Sequence, residues 1–356
     1  MPPERESFST FADALGHRFA LPYQLLFRRK RMKLRLLLAG LLALMTSLAH
    51  ANDLSEWKPL LPVTELHKLL EDDPFAATVV DIRALDSKDP EASYNTGHIP
   101  GAVSSPYATW RGQPDNPGKF LTQDKLTWLV QAIGADIDTP VVVVHRGDSY
   151  SNFGAAARVY WSLKTAGLTQ LAILNGGFQA WKQAGLPTST ELETPLPSDF
   201  PATIQPNWLA QATEMEAQIN KPEVQLLDAR PDDFFEGFSW HPAASKPGTI
   251  AGAVAFDNER WFRSGGPLLE SPERLQNLVQ ENKLGQAEIT VSFCNTGHWA
   301  ATNWFVLSEI AGKQNVKLYP ESLVEWSTAN LPMDNVPNRL QWAWISTKQW
   351  LVSKFN

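Results

Sequence analysis

The 356-residue chain reads as an α/β protein built from two copies of one unit, each a parallel sheet covered by helices on both faces. Three observations point there. Short apolar strands alternate with helical stretches along most of the chain, the pattern of buried parallel strands. Four landmarks recur at nearly constant spacing: Asp81 and Asp228 (147 apart), Gly97 and Gly248 (151), Arg146 and Cys294 (148), Trp181 and Trp326 (145). Composition completes the case: 43% apolar and 19% charged residues describe a globular chain long enough for two full cores.

Taken in order, the N-terminus reads as an address. Arg28 to Arg35 is basic, Leu36 to Met45 is apolar, and Ala49-His50-Ala51 fits the small-x-small cleavage pattern of a secretory signal. The apolar run is shorter than the ~20 residues that cross a bilayer. Residues 1–51 are therefore expected to be an N-terminal extension and cleavable signal peptide, with cleavage after Ala51, periplasmic export and no stable membrane insertion afterwards. A basic region normally lies near the start of a signal, so Met32 is a candidate for the true start. An uncleaved anchor is the alternative.

The first unit is expected over 57–188. It opens with the strand Thr78-Val79-Val80-Asp81-Ile82-Arg83, followed by the turn Gly97-His98-Ile99-Pro100-Gly101-Ala102-Val103. A helix over Lys125–Ile133, the strand Val141–Val144, a helix over Ala155–Ala166 and the segment Asn175-Gly176-Gly177-Phe178-Gln179-Ala180-Trp181 follow. A Pro, Thr and Ser-rich stretch reads as an ordered linker over 189–206. The second unit, 207–335, repeats the order: Leu226-Leu227-Asp228-Ala229-Arg230, the turn from Gly248, helices over Pro272–Gln280 and Ala300–Ala311, and a closing Trp326. Residues 336–356 form a Trp-rich C-terminal tail, expected to pack back onto a domain or to contact a membrane or partner.

The chemistry concentrates in the second unit. Ile289 to Phe293 is a β-branched and aromatic run. Cys294-Asn295-Thr296-Gly297-His298-Trp299 follows, and then an amphipathic stretch, which reads as strand, loop, helix. A thiol there faces backbone N–H groups and the positive end of a helix, both of which favour the thiolate. Cys294 is the only cysteine, so no internal disulfide or dithiol exchange is open to it. The alternative is a buried cysteine acting as a small hydrophobe. A net charge of −7 argues against nucleic acid as a partner, and seven His with one Cys show no metal-ligand spacing. Some phosphatases need an arginine six positions after the cysteine; Ala300 stands there.

In this order and twice over, the Asp-x-Arg strand end, the Gly-His-Ile-Pro-Gly-Ala turn, the strand–Cys–loop–helix and the Asn-Gly-Gly-Phe-x-x-Trp segment resemble the tandem-domain rhodanese, or sulfurtransferase, family. The resemblance runs from about Trp57 to Pro332. It implies two rhodanese-like domains, the first without a catalytic cysteine, Arg146 standing where Cys294 stands in the second. It implies thiosulfate or 3-mercaptopyruvate sulfurtransferase activity through a Cys294 persulfide, with a thiol or cyanide as acceptor and no cofactor. By position, Arg230 resembles the arginine that binds the anionic donor; an ion pair with Asp228 that pins the strand end is the competing role, and Arg83 with Asp81 is read as structural. Asn295, Thr296, Gly297, His298 and Trp299 would receive the donor and cradle the persulfide anion. His298 would serve as a charge or as a hydrogen-bonding group, or else face water; Trp299 would wall the pocket or pack its helix. The loop is similar to the Cys-Asn-Ala-Gly-Arg loop of small periplasmic rhodaneses, which favours thiosulfate. No arginine stands in Pro231–Gly237 where mercaptopyruvate users carry one, leaving Lys246 or Arg260 to substitute. A persulfide carrier or a non-enzymatic binding module is the alternative reading. Physiological donor, acceptor and oligomeric state are left open.

Overall fold

In a computed structural model, which describes residues 57–338 together with Gln341 and Thr347, the two copies take the same architecture. The signal segment, Met32 and nearly all of the Trp-rich tail lie outside the described residues.

The first copy runs β1 (Leu60–Leu61), α1 (Val63–Asp72), β2 (Thr78–Asp81), β3 (Val103–Ser104), α2 (Gln123–Ala132), β4 (Val141–Val144), α3 (Tyr150–Thr165), β5 (Leu171–Leu174) and α4 (Gly177–Gln183). Its sheet has the order β1-β5-β4-β2-β3, and every pair is parallel. The second runs α5 (Ala212–Glu216), β6 (Val224–Asp228), α6 (Asp232–Phe235), β7 (Thr249–Ile250), β8 (Val254–Ala255), α7 (Pro272–Glu281), β9 (Ile289–Phe293), α8 (Trp299–Phe305), β10 (Val316–Leu318), α9 (Ser322–Thr328) and β11 (Met333–Asp334). Its sheet, β10-β9-β6-β8, is again parallel, and β7 pairs with β11 in a small antiparallel ribbon.

Side chains alternate across a strand, so a sheet covered on both faces buries both sets of side chains, which are mostly apolar. In β6 and β9, Leu226, Val291 and Phe293 join Met215 of α5 and Leu323 and Trp326 of α9. Leu227 faces the other way, against Leu275 of α7 and Trp304 of α8. Helix starts follow their caps: Thr122, Ser149 and Ser271 accept the N–H of Lys125, Asn152 and Arg274, each such cap being worth about 1 kcal/mol.

The copies share one core. Helices α3 and α8, each following the loop at the end of its central strand, pack on one another, with the Phe305 ring 5.5 Å from Phe153 and 5.0 Å from Tyr160. Small buried residues line both helices (Ala156 and Ala157 on one, Ala300 and Ala301 on the other), and Gly154 lets the backbones approach. The linker is ordered and mostly extended: Ser189 bridges to His98, and Thr203 and Gln205 donate their N–H groups to the carbonyls of Ala166 and Thr165.

The hydrogen-bond register corrects one correspondence. Asp81 of β2 faces Val144, and Asp228 of β6 faces Phe293. The residue after the strand is thus His145 in the first copy and Cys294 in the second, and Phe178 and Leu323 donate their N–H groups to these two carbonyls. His145, not Arg146, stands where Cys294 stands. Strand β9 is one residue longer than β4, and an apolar run carries no mark of where pairing begins. Arg146 instead points outward to Asp89, 2.7 Å away, and to Asp148.

Candidate active site

Cys294 sits at the C-terminal end of β9 and is buried, 1% exposed. Its loop is held from below by Ser322. The Ser322 hydroxyl accepts the N–H groups of Cys294 (3.0 Å) and Gly297 (3.1 Å) and donates to the Tyr319 carbonyl (2.8 Å). Ser322 has φ +54, a left-handed conformation costly for a residue with a Cβ. The matching position in the first copy is Gly177, φ +60. Above Ser322, Leu323 and Val324 donate their N–H groups to the Cys294 and Asn295 carbonyls. The Gly297 amide, expected to face the sulfur, is thus taken by Ser322. Gly297 itself has φ +66, and a Cβ there would stand 2.3 Å from Arg158 Nη1 and 2.5 Å from the Pro320 carbonyl.

Arg230 lies behind the loop, 1% exposed. Its Nε donates to Asp228 Oδ1 (2.9 Å), and its Nη2 to Asp228 Oδ2 (2.6 Å) and the Gly248 carbonyl (2.7 Å). Its Nη1 reaches Asn295 Oδ1 at 3.3 Å. Arg83 and Asp81 reproduce this fork in the first copy, with Nη2 on the Gly97 carbonyl. In both copies a buried, bidentate pair locks the strand end onto the glycine of the following turn. Lys246 bonds Asn330 and Arg260 bonds Asn282.

The rest of the site comes from the first copy. The Tyr107 hydroxyl lies 2.8 Å from His298 Nδ1, and Ser151 Oγ lies 3.0 Å from His298 Nε2. Arg111 donates to Tyr107 (3.0 Å) and to Thr296 Oγ1 (2.9 Å). Arg158, fully buried on α3, donates to the Gly297 carbonyl (3.3 Å) and to the Gly118 carbonyl (2.9 Å). Trp299 donates Nε1 to Ser151 Oγ (3.3 Å) and turns its ring edge toward Phe234. It therefore walls the loop and packs its helix at once. Gly154 brings α3 close, since a Cβ there would lie 3.1 Å from the His298 carbonyl.

His298 is half-buried against Tyr107 and Ser151, and it is neutral near pH 7. Burial and then the Arg111 charge push it down to about 3. Arg111 donates to the Tyr107 oxygen, so the Tyr107 proton points at His298 Nδ1 and leaves Nε2–H for Ser151. Burial and the neighbouring Arg111 lower Arg158 to about 10, and burial raises Tyr107.

The sequence-predicted residues Asp228, Arg230, Cys294, Asn295, Thr296, Gly297, His298 and Trp299 are brought together. Tyr107, Arg111, Ser151, Arg158 and Ser322 were missed. Arg158 carried a signal, a lone charge in the apolar helical run Phe153–Trp161. A cavity of about 740 Å³ bounded by Thr78, Gly101 and Trp181 includes none of these residues.

The arrangement supplies a sole thiol at a strand end, fixed loop amides, a neutral imidazole and guanidinium groups, the equipment of nucleophilic attack on an anionic molecule. The rhodanese-like domain family matches residues 62–184 and 211–329. A Mycobacterium bovis protein with the provisional name thiosulfate sulfurtransferase 1 is 30% identical over 67% of this chain and 85% of its own length. Human 3-mercaptopyruvate sulfurtransferase is 25% identical, covering 69% of this chain and 82% of that protein. Among solved structures, SseA from Escherichia coli superposes with a TM-score of 0.63 at 22% identity, over 74% of this chain and 98% of SseA. YnjE gives 0.67 at 22% identity, over 79% and 69%.

Proposed function

The chain belongs to the rhodanese family of sulfurtransferases, with a rhodanese-like domain in each half, and from that premise we propose that it moves a sulfane sulfur from thiosulfate to a thiophilic acceptor through a persulfide on Cys294. The Cys294 thiolate attacks the outer sulfur of thiosulfate. A new S–S bond forms, the bond to the sulfonate sulfur breaks, and its electron pair leaves with sulfite. Cyanide or a thiolate then attacks the outer sulfur of the persulfide and returns the Cys294 thiolate, so the cycle is redox-neutral. Asn295 to Trp299 form the loop that receives the donor, and Asp228 with Arg230 supports it from β6. The observation that carries the reading is the position of the sole thiol, at the end of β9 on a loop whose amides Ser322 fixes. Thiosulfate is favoured over 3-mercaptopyruvate by the Cys-Asn-Thr-Gly-His loop and by the engagement of Lys246 with Asn330 and of Arg260 with Asn282. The basic and apolar run before Ala51 supports a periplasmic site of action.

The test is to incubate the purified protein with thiosulfate and, separately, with 3-mercaptopyruvate, and to weigh it intact. One sulfur gained from thiosulfate, and none in Cys294→Ser, is the expected result. A gain only from 3-mercaptopyruvate reassigns the donor. No gain from either makes the chain a binding module.

A further inference from the structure

Two arginines of the first copy converge on the cysteine loop, and neither is in ion-pair contact with a carboxylate among the described residues. Arg111 follows the short 3₁₀ turn Tyr107–Trp110, and Arg158 lies in the middle of α3. They grip adjacent residues of the loop, Thr296 and Gly297. Among the described residues no carboxylate oxygen lies within 4.0 Å of either guanidinium, whereas Arg83, Arg146 and Arg230 are all paired. The charge of Arg111 also reaches His241, His298 and Arg158, and helps to depress each of them. Glu321 is the acid whose charge reaches Arg158; burial raises it, and its Oε1 accepts the Phe120 N–H.

Like charges held together in a half-buried site cost free energy unless an anion completes it. The two groups have different means of doing so. Arg158 is fully buried and its Nε is unpartnered. Arg111 is partly exposed and uses two of its five N–H donors, on Tyr107 and Thr296, which leaves three for an anion. Arg230, the residue expected to bind the donor, is fully enclosed with its fork on Asp228.

We propose that Arg111, reaching across from the first copy, is the anion-binding residue of the Cys294 site and takes the oxyanion end of the sulfur donor, with Arg158 behind it adding positive field. This rests on Cys294 being a working thiol. The half of the molecule that lacks a cysteine then supplies the recognition, and the half that has one supplies the nucleophile.

Because Cys294 is the sole cysteine, its alkylation can be read without ambiguity, and no sulfur transfer is needed. The rates with anionic iodoacetate and neutral iodoacetamide are compared at one pH. In Arg111→Gln the iodoacetate-to-iodoacetamide ratio should fall about tenfold or more, the scale of one charge-assisted hydrogen bond, and Arg111→Lys should recover part of it. An unchanged ratio in Arg111→Gln overturns the proposal. A second measurement needs no variant: sulfate, at ionic strength matched with chloride, should protect the wild-type thiol from iodoacetate, and no protection equally overturns it. A wild type that prefers iodoacetate but takes no sulfur from thiosulfate sinks the sulfurtransferase reading and leaves this one standing.

Discussion

The Tyr107 hydroxyl lies 2.8 Å from Nδ1 of His298, a residue 191 positions further along the chain, and this contact joins the two copies at the cysteine loop. It fixes the tautomer of a half-buried imidazole and, through Arg111, the position of Thr296. Tyr107→Phe leaves both His298 and Arg111 short of a partner. We expect it to cost about 1–3 kcal/mol, the range for a buried polar group left unsatisfied. Urea denaturation should register that loss, and the rate of sulfur loading on Cys294 should fall. An unshifted midpoint would mean that the contact holds nothing.

Ser322 tests the loop from the other side. Its hydroxyl anchors two loop amides while its backbone sits at φ +54. Ser322→Ala removes the anchor and keeps the strain; Ser322→Gly removes both and copies Gly177. Alanine should cost about 1–3 kcal/mol, and glycine should recover about 1 kcal/mol of it. Both should slow sulfur loading. Equal stability of the two variants would contradict the backbone argument.

Two histidines, His145 buried and His298 half-buried, make stability depend on acid. Burial, and then Arg111, hold His298 down to about 3, and burial holds His145 down to about 3. In the unfolded chain each titrates near pH 6.5. Unfolding therefore takes up protons between those limits: their contribution is intact above about pH 6.5 and is lost as pH falls toward 3. Each adds a slope of up to about 1.4 kcal/mol per pH unit. His298→Gln, which can still bond Tyr107 and Ser151, should flatten the fall between pH 6 and 4 by one histidine's share. Denaturation curves at stepped pH would show it, and an identical slope would mean that His298 charges in the folded state.

The arginines separate by their partners. Arg83→Ala and Arg230→Ala each strand a buried aspartate, and each should cost several kcal/mol, in the range of 3–5 for a broken buried pair. Arg146→Ala, which removes two half-exposed ion pairs, should cost less than about 1 kcal/mol and leave turnover unchanged. Thermal melts and steady-state rates distinguish the three. A turnover defect in Arg146→Ala would give the loop of the first copy a part in the chemistry.

The duplication, the parallel sheets, the main helices and the thiol were all legible in the residues. Each leaves a local mark: an apolar run, a cap such as Ser271 ahead of Pro272, a glycine where φ must be positive, one cysteine in a loop. Cys294, Asn295 and Gly297 could be placed in one loop because they are neighbours along the chain. The correspondence of His145 with Cys294 could not be fixed, because β4 and β9 differ by one residue and four successive valines look alike in any register. Nor could the roles of Tyr107, Arg111, Ser151 and Arg158. These depend on α3 packing against α8, which brings residues some 140 to 190 positions apart within hydrogen-bonding distance. Sequence by itself determined which elements form and where the cysteine stands, since these follow from short-range patterns. Tertiary structure alone decided which charges surround it, because long-range packing leaves no periodic trace in the chain.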